Sequence, residues 1–280
     1  MIVFRSMTDS DIAAGLALCG AAGWNQLARD WKILLHLSPG DCRVATVNDK
    51  VIGTVTTLRY EKYFSWIGMV LVDPAYRGRG TGRQLLDEAL QVLQHEETIK
   101  LDATQAGREL YLKLNFVDEY HLSRMTTIAP AKSPSVSAAR PVHKKDMDTI
   151  ANFDNQIFGA DRQSLLEWML TGAPELAFVL EDNKVIRGYC LGRHGHNFTQ
   201  VGPVVAGNYE VAKELVAAAL FNCIDQPVIL DAMHFDPEWI GWLCSIGFAE
   251  QRSLIRMYRG SNRFPGLPEK QFAILGPEFG

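Results

Sequence analysis

Five cysteines in 280 residues, at positions 19, 42, 190, 223 and 244, are too few and too scattered for a disulfide framework. No C-x-x-C pair occurs, so no zinc site is indicated and no metal is expected. They read as reduced, mostly buried small apolar residues, which suits a cytoplasmic protein. Basic excess is missing too. Residues 1–135 carry 15 Lys/Arg against 15 Asp/Glu, and the remainder 13 against 17, which gives the net charge of −4. Neither half is basic enough for nucleic acid to be a main partner. No apolar run approaches membrane-spanning length, and the opening MIVFRSMTDSD meets acidic residues too early for a secretory segment. A soluble, intracellular chain with no membrane partner is expected. The Gly-Lys-Ser/Thr ending of a Walker loop is also absent.

What is present is concentrated in IGMVLVDPAYRGRGTG, Ile67 to Gly82. A Val/Leu-rich run reads as a buried strand, ended by Asp73-Pro74 because proline cannot donate to a sheet ladder. Gly78, Gly80 and Gly82 follow at alternate positions, and then Leu85, Leu86, Ala89, Leu90 and Leu93 recur at helical spacing. Strand, glycine turn and helix start make an anion seat: bare backbone lets several N–H groups converge, and the helix dipole adds positive potential. Arg77, Arg79 and Arg83 bring formal charge to the same turn. The expected ligand is a pyrophosphate. A Rossmann dinucleotide site stays open as an alternative, with Asp102 at about the right distance for a ribose, although Arg83 stands where its third glycine belongs. A basic surface turn without ligand is the plainest alternative.

VDPAYRGRGTGRQLL resembles the acyl-CoA-binding motif of the Gcn5-related N-acetyltransferases (GNAT), with Arg77, Gly80 and Gly82 in the motif positions and Gly78, Arg79 and Thr81 between them. The resemblance implies that the preceding strand splays from its neighbour. The freed backbone at Met69, Val70, Leu71 and Val72 would then bond the pantetheine of acetyl-CoA. LDATQAGRELYLKLNF (Leu101 to Phe116) is similar to the elements that complete such a site, and by that likeness Tyr111 is the candidate general acid. Asn115 replaces the usual glycine at that helix exit. Asparagine tolerates the left-handed conformation better than most residues, so the cap can survive.

The chain also repeats itself at an offset of roughly 135 residues. Arg5 and Asp11 correspond to Arg140 and Asp146, and Leu101-Asp102-Ala103 to Leu230-Asp231-Ala232. Asn115-Phe116 corresponds to Gly247-Phe248, each followed six residues later by Leu-x-Arg-Met (Leu122–Met125, Leu254–Met257). The collinear order argues for two tandem GNAT-like domains. We expect a catalytic one at 1–130, a Pro/Ser/Ala linker at 131–139, and a degenerate one at 140–280. The expected fold class is α/β: in each half a twisted, mostly antiparallel mixed sheet with a splayed central strand pair and helices on both faces. Phe272 to Leu275 is a candidate extra strand. The second half lacks the arginine-glycine turn and offers Trp239 or Trp242 near the place of Tyr111, so it is expected to bind no cofactor. The layout resembles bacterial tandem acetyltransferases.

Acetyl transfer to an amine needs a neutral nucleophile, stabilisation of an oxyanion and a proton for the leaving thiolate. Tyr111 and the backbone of Val70 to Val72 supply the last two. No residue stands out as the base. For the acceptor, Trp24, Asn25 and Gln26 between the first two helices offer an apolar plate and amides, with Tyr63 and Trp66 leading into the central strand from the other side. The expectation is an acetyl-CoA-dependent N-acetyltransferase acting on a small-molecule amine, monomer or homodimer. A non-catalytic acyl-CoA sensor is the alternative.

Overall fold

The computed structural model describes residues 1–128 and 138–280. The linker expected at 131–139 lies outside the described residues, apart from Ala138 and Ala139. Each half runs through the same series. The first has β1 (Val3–Ser6), α1 (Ile12–Ala22), α2 (Ala28–Leu37), β2 (Arg43–Val47), β3 (Lys50–Tyr60) and β4 (Phe64–Val72). It continues with α3 (Thr81–Val92), β5 (Thr98–Thr104), α4 (Gln105–Leu112) and β6 (Val117–Ile128). The second has β7 (Arg140–Pro141), α5 (Met147–Phe158), α6 (Gln163–Gly172), β8 (Phe178–Asp182), β9 (Val185–Arg193) and β10 (Thr199–Ala206). It closes with α7 (Tyr209–Phe221), β11 (Pro227–Met233), α8 (Pro237–Ser245), β12 (Ala249–Gly260) and β13 (Gln271–Ala273).

All strands join one sheet in the order β1-β2-β3-β4-β5-β12-β6-β11-β13-β10-β9-β8-β7, antiparallel except at β4–β5 and β10–β11. The last long strand of each half is exchanged. β12 pairs with β5 from Leu254↔Thr104 to Gly260↔Thr98, and β6 pairs with β11 from Pro227↔Ile128 to Met233↔Leu122. The repeated words explain why. Arg256 of the second Leu-x-Arg-Met grips Asp102 of the first Leu-Asp-Ala through two 2.8 Å bonds. Arg124 of the first grips Asp231 of the second at 2.7 and 2.9 Å. Both carboxylates are fully buried, where an unpaired charge would be prohibitive, so each half's sheet is completed by the other half's arginine. Arg5–Asp11 and Arg140–Asp146, the other repeated pair, close within their own halves.

Helices cover both faces. Trp31 and Leu34 of α2, Leu18 of α1, Ile150 and Ile157 of α5, and Leu165 and Met169 of α6 share one core, so the halves have a common interior on that face. On the other face Leu85, Leu86 and Ala89 of α3 pack in a first-half core with Leu101 and Phe116, while α7 and α8 build a separate core around Leu215 and Trp239. The chain leaves α4 through Asn115 at φ 64°, the left-handed conformation expected of it, with Phe116 N–H bonded back to Tyr111 O at 3.1 Å.

Candidate functional site

β4 and β5 pair only at Ser65↔Ile99 and Trp66↔Lys100 and then diverge. Beyond Trp66 the edge of β4 facing β5 has no ladder partner among the described residues, so backbone groups there that no side chain takes are open to a ligand. Within this stretch Met69 sits at φ 51° in a bulge, two residues of β4 opposing one of β3, and its carbonyl accepts from Thr54 Oγ1 at 2.8 Å. The following turn is tied down by Ala75 N–H to Asp73 Oδ1 (2.9 Å) and by Arg77 Nε to Val72 O (3.0 Å). Gly78 and Gly80 take φ 74° and 80°, where a side chain is strained whatever the space around it. Helix α3 starts at Thr81. Gln84 N–H bonds Gly80 O at 3.0 Å, while the N–H groups of Thr81, Gly82 and Arg83 lie in the unsatisfied first turn. Arg79 lies 5.4 Å over the Tyr76 ring.

An open cleft of about 960 Å³ runs from Gly78–Arg83 along Val70–Val72 to Thr104, Gln105 and Leu110, with Trp24 and Arg252 also in its wall. Free N–H donors and glycine backbone at one end, and an unpaired strand edge along its length, suit a long ligand with a diphosphate head and amides behind it.

The corresponding gap in the second half is closed by the chain itself. β10 and β11 diverge after Gln200↔Ile229, and β13 enters between them through Val204↔Ala273, Val205↔Gln271 and Ala232↔Ala273. Ile274 N–H then donates to Asp231 O at 3.1 Å. A Cβ on Gly202 would lie 2.3 Å from Ile274 O. Pro203, in the place of Met69, has no N–H to offer. Trp239 is fully buried and donates Nε1–H to Phe272 O at 2.8 Å, which pins the inserted strand.

A smaller pocket of about 200 Å³ adjoins the cleft and shares Trp24, Val70, Thr104, Leu110 and Arg252 with it. Tyr111 lines it, half-buried, with no hydrogen bond to its hydroxyl among the described residues. Burial pushes that hydroxyl up to about 12, so it keeps its proton at neutral pH. Gln26 is positioned by the α1–α2 turn, which begins at Gly23 (φ 67°) and ends where Asp30 accepts Leu27 N–H at 2.5 Å. Its Nε2 donates to Glu278 Oε1 at 2.9 Å, and Arg193 holds that carboxylate at 2.5 Å and Asp30 at 2.8 Å. Arginine beside it keeps Glu278 ionised, below the usual carboxylate range despite burial.

Of the acceptor residues expected from the sequence, Trp24 and Gln26 meet at this pocket. The other three are used elsewhere. Asn25 clamps the second half's loop, accepting from the N–H groups of Asn197 (2.8 Å) and Phe198 (2.9 Å) and donating to Phe198 O. Trp66 is buried beneath Arg256, with Nε1–H on Pro277 O at 2.9 Å. Tyr63 stands at the far end of β4, stacked on Phe264. Sequence reasoning missed Arg252, Leu254, Pro277 and Glu278, which the second half contributes. Leu-x-Arg-Met marked the exchanged strands as repeats but carried no sign that they cross over.

Comparison with known proteins agrees with this architecture. Two acetyltransferase (GNAT) domain families match, one at residues 38–118 and the other at 150–273. Holothin acyltransferase of Pseudoalteromonas sp. (strain SANK 73390) is 28% identical over 261 residues, covering 93% of this chain and 88% of that protein. The crystal structure of an acetyltransferase candidate from Pyrococcus horikoshii superposes with a TM-score of 0.84 at 23% identity, covering all of this chain and 96% of that one. A tandem GNAT protein from the clavulanic acid biosynthesis pathway gives 0.67 at 13% identity, over 92% and 98% of the two chains. The chain belongs to the GNAT superfamily of acetyltransferases as a tandem member. Binding of coenzyme A or its acetyl thioester is general in that family, and the first-half cleft fits such a molecule.

Proposed function

We propose that this protein is an acetyl-CoA-dependent N-acetyltransferase that moves the acetyl group to the primary amine of a small-molecule acceptor, both substrates being held together. The observation that carries the reading is the junction of the two cavities: the long cleft and the small pocket meet at Val70, Leu110 and Arg252, with Tyr111 beside the meeting point. Acetyl-CoA supplies the activated acetyl group. The first-turn N–H groups of α3, with Gly78, Gly80, Thr81 and Arg77, would hold its diphosphate. The free edge from Met69 to Val72 would bond the pantetheine and point N–H at the thioester oxygen. Tyr111 holds a proton for the sulfur that leaves.

The catalytic repeat is 1–130, joined through the 131–139 linker to the degenerate repeat 140–280, which completes the pocket. Paired internally through exchanged strands, the halves act as a pseudo-dimer within one chain, so a monomer suffices. Cysteines without disulfide partners suit the cytoplasm. Thiol release from acetyl-CoA across an amine panel, with the amide identified by mass, tests the reading. Tight acetyl-CoA binding with no amide from any amine would replace it by the sensor alternative.

A further inference from the structure

The small pocket has a definite charge balance. Asp102, one of its two carboxylates, receives both of its bonds from Arg256, and Glu278, the other, is taken by Arg193 and Gln26. Arg124 is likewise satisfied by Asp231. Arg252 is different. It lies in the wall shared by pocket and cleft, half-buried, and among the described residues its guanidinium has no ion-pair or hydrogen-bond partner. Among the described residues the pocket therefore holds no carboxylate free to receive an ammonium, and one guanidinium with no bonded partner, attracted only at longer range by Asp231, which Arg124 already holds. An alkylammonium entering it would lose water, meet a like charge and gain no counter-ion.

A second observation concerns Gln26. Its orientation follows from chemistry: ionised Glu278 can only accept, so the amide NH₂ must face it and Oε1 must face away. That Oε1 is buried and has no partner. Gln26 is the one residue in the pocket lining with an unsatisfied buried side-chain atom among the described residues. It is a neutral acceptor with no donor, on a residue that lines the pocket.

Resting on the N-acetyltransferase reading, we propose that the acceptor is a weakly basic amine, uncharged at neutral pH as aryl and heteroaryl amines are. Its N–H bonds Gln26 Oε1, and a carbonyl or carboxylate oxygen on the same molecule meets Arg252. Such an amine arrives with its lone pair free, so no base is needed to strip an ammonium proton before attack. The new N–C bond replaces C–S, and the hydrogen lost from nitrogen balances the one gained by sulfur. Gln26 and Arg252 are then the residues that set specificity.

The test is binding rather than turnover. Full-length protein is titrated by calorimetry with matched pairs on several ring scaffolds, each an amino-benzoate or amino-heteroarene carboxylate beside its aminomethyl homologue. The arylamine of at least one pair should bind tenfold or more tightly than its homologue at pH 7. Arg252→Gln should weaken that arylamine about tenfold and narrow the gap, and Gln26→Leu should weaken it with its fold checked by circular dichroism. Equal or tighter binding of the aminomethyl partner in every pair, no binding in any pair, or an Arg252→Gln variant with unchanged preference, would overturn the proposal. Failure of the acetyltransferase reading shows separately, as acetyl-CoA that binds and yields no amide.

Discussion

Replacing Arg256 by methionine is the sharpest test of the exchanged-strand architecture. Arg256 is 2% exposed, donates two 2.8 Å bonds to Asp102 and one of 2.9 Å to Tyr120 Oη, and lies 4.5 Å over the Trp66 ring. Methionine keeps much of the volume and removes the charge, leaving Asp102 buried without its hydrogen-bonded counter-ion. Breaking such a pair from one side costs about 3–5 kcal/mol, against a total stability of about 5–15 kcal/mol for a domain. Urea unfolding should show a large fall in midpoint with an unchanged slope. The orphaned carboxyl has a folded-state pKa raised above its unfolded value, so the folded form binds the extra proton. The penalty is therefore greatest at high pH and eases as pH falls through that raised value. The double variant Asp102→Leu/Arg256→Met, with no buried charge left at this pair, should recover most of the loss. An Arg256→Met midpoint equal to that of the parent at pH 8 would refute the claim that this pair fastens β12 to β5.

Three further outcomes are expected. Tyr111→Phe should lower kcat by roughly ten- to a thousand-fold with acetyl-CoA affinity kept, and because the native hydroxyl titrates only at about 12, wild-type rates should show no basic limb from it below pH 10; a Phe variant at full rate would make Tyr111 a packing residue. Calorimetry should count one acetyl-CoA per chain, since β13 fills the second gap, and two equal sites would remove that reading. Asp11, lowered to about 2 first by its bond from Arg5, stabilises the fold above its unfolded pKa of about 4, and the contribution is lost as pH falls from there towards 2. Arg5→Gln should flatten the acid limb of stability over that window, measured by thermal melts; an unaltered limb would contradict it.

Much of the first half's site was readable because its chemistry is local. The turn at Gly78–Gly82 needs positive φ and free N–H groups within a few consecutive residues, and glycines and a helix start encode both without help from elsewhere. Asn115 was likewise legible as a left-handed cap. The pocket we propose for the acceptor was not. Trp24 and Gln26 reach it, while Asn25, their neighbour between them, is turned to the second half's loop. Side chains one residue apart in a turn face different ways, and spacing cannot say which. Trp66 lies in a strand covered on both faces, so an aromatic that read as a pocket wall is core.

By itself the sequence determined the two repeats, their strand and helix order, the glycine turn that we propose seats a diphosphate and the lack of that turn in the second copy, since each is written in residues close together in the chain. Only the tertiary structure decided that β6 and β12 change places, that β13 closes the second gap, and that Arg252 and Glu278 stand at the first half's pocket. Those outcomes depend on which buried charge finds which partner across more than a hundred residues. Identical words in both copies leave that choice open until the strands pack.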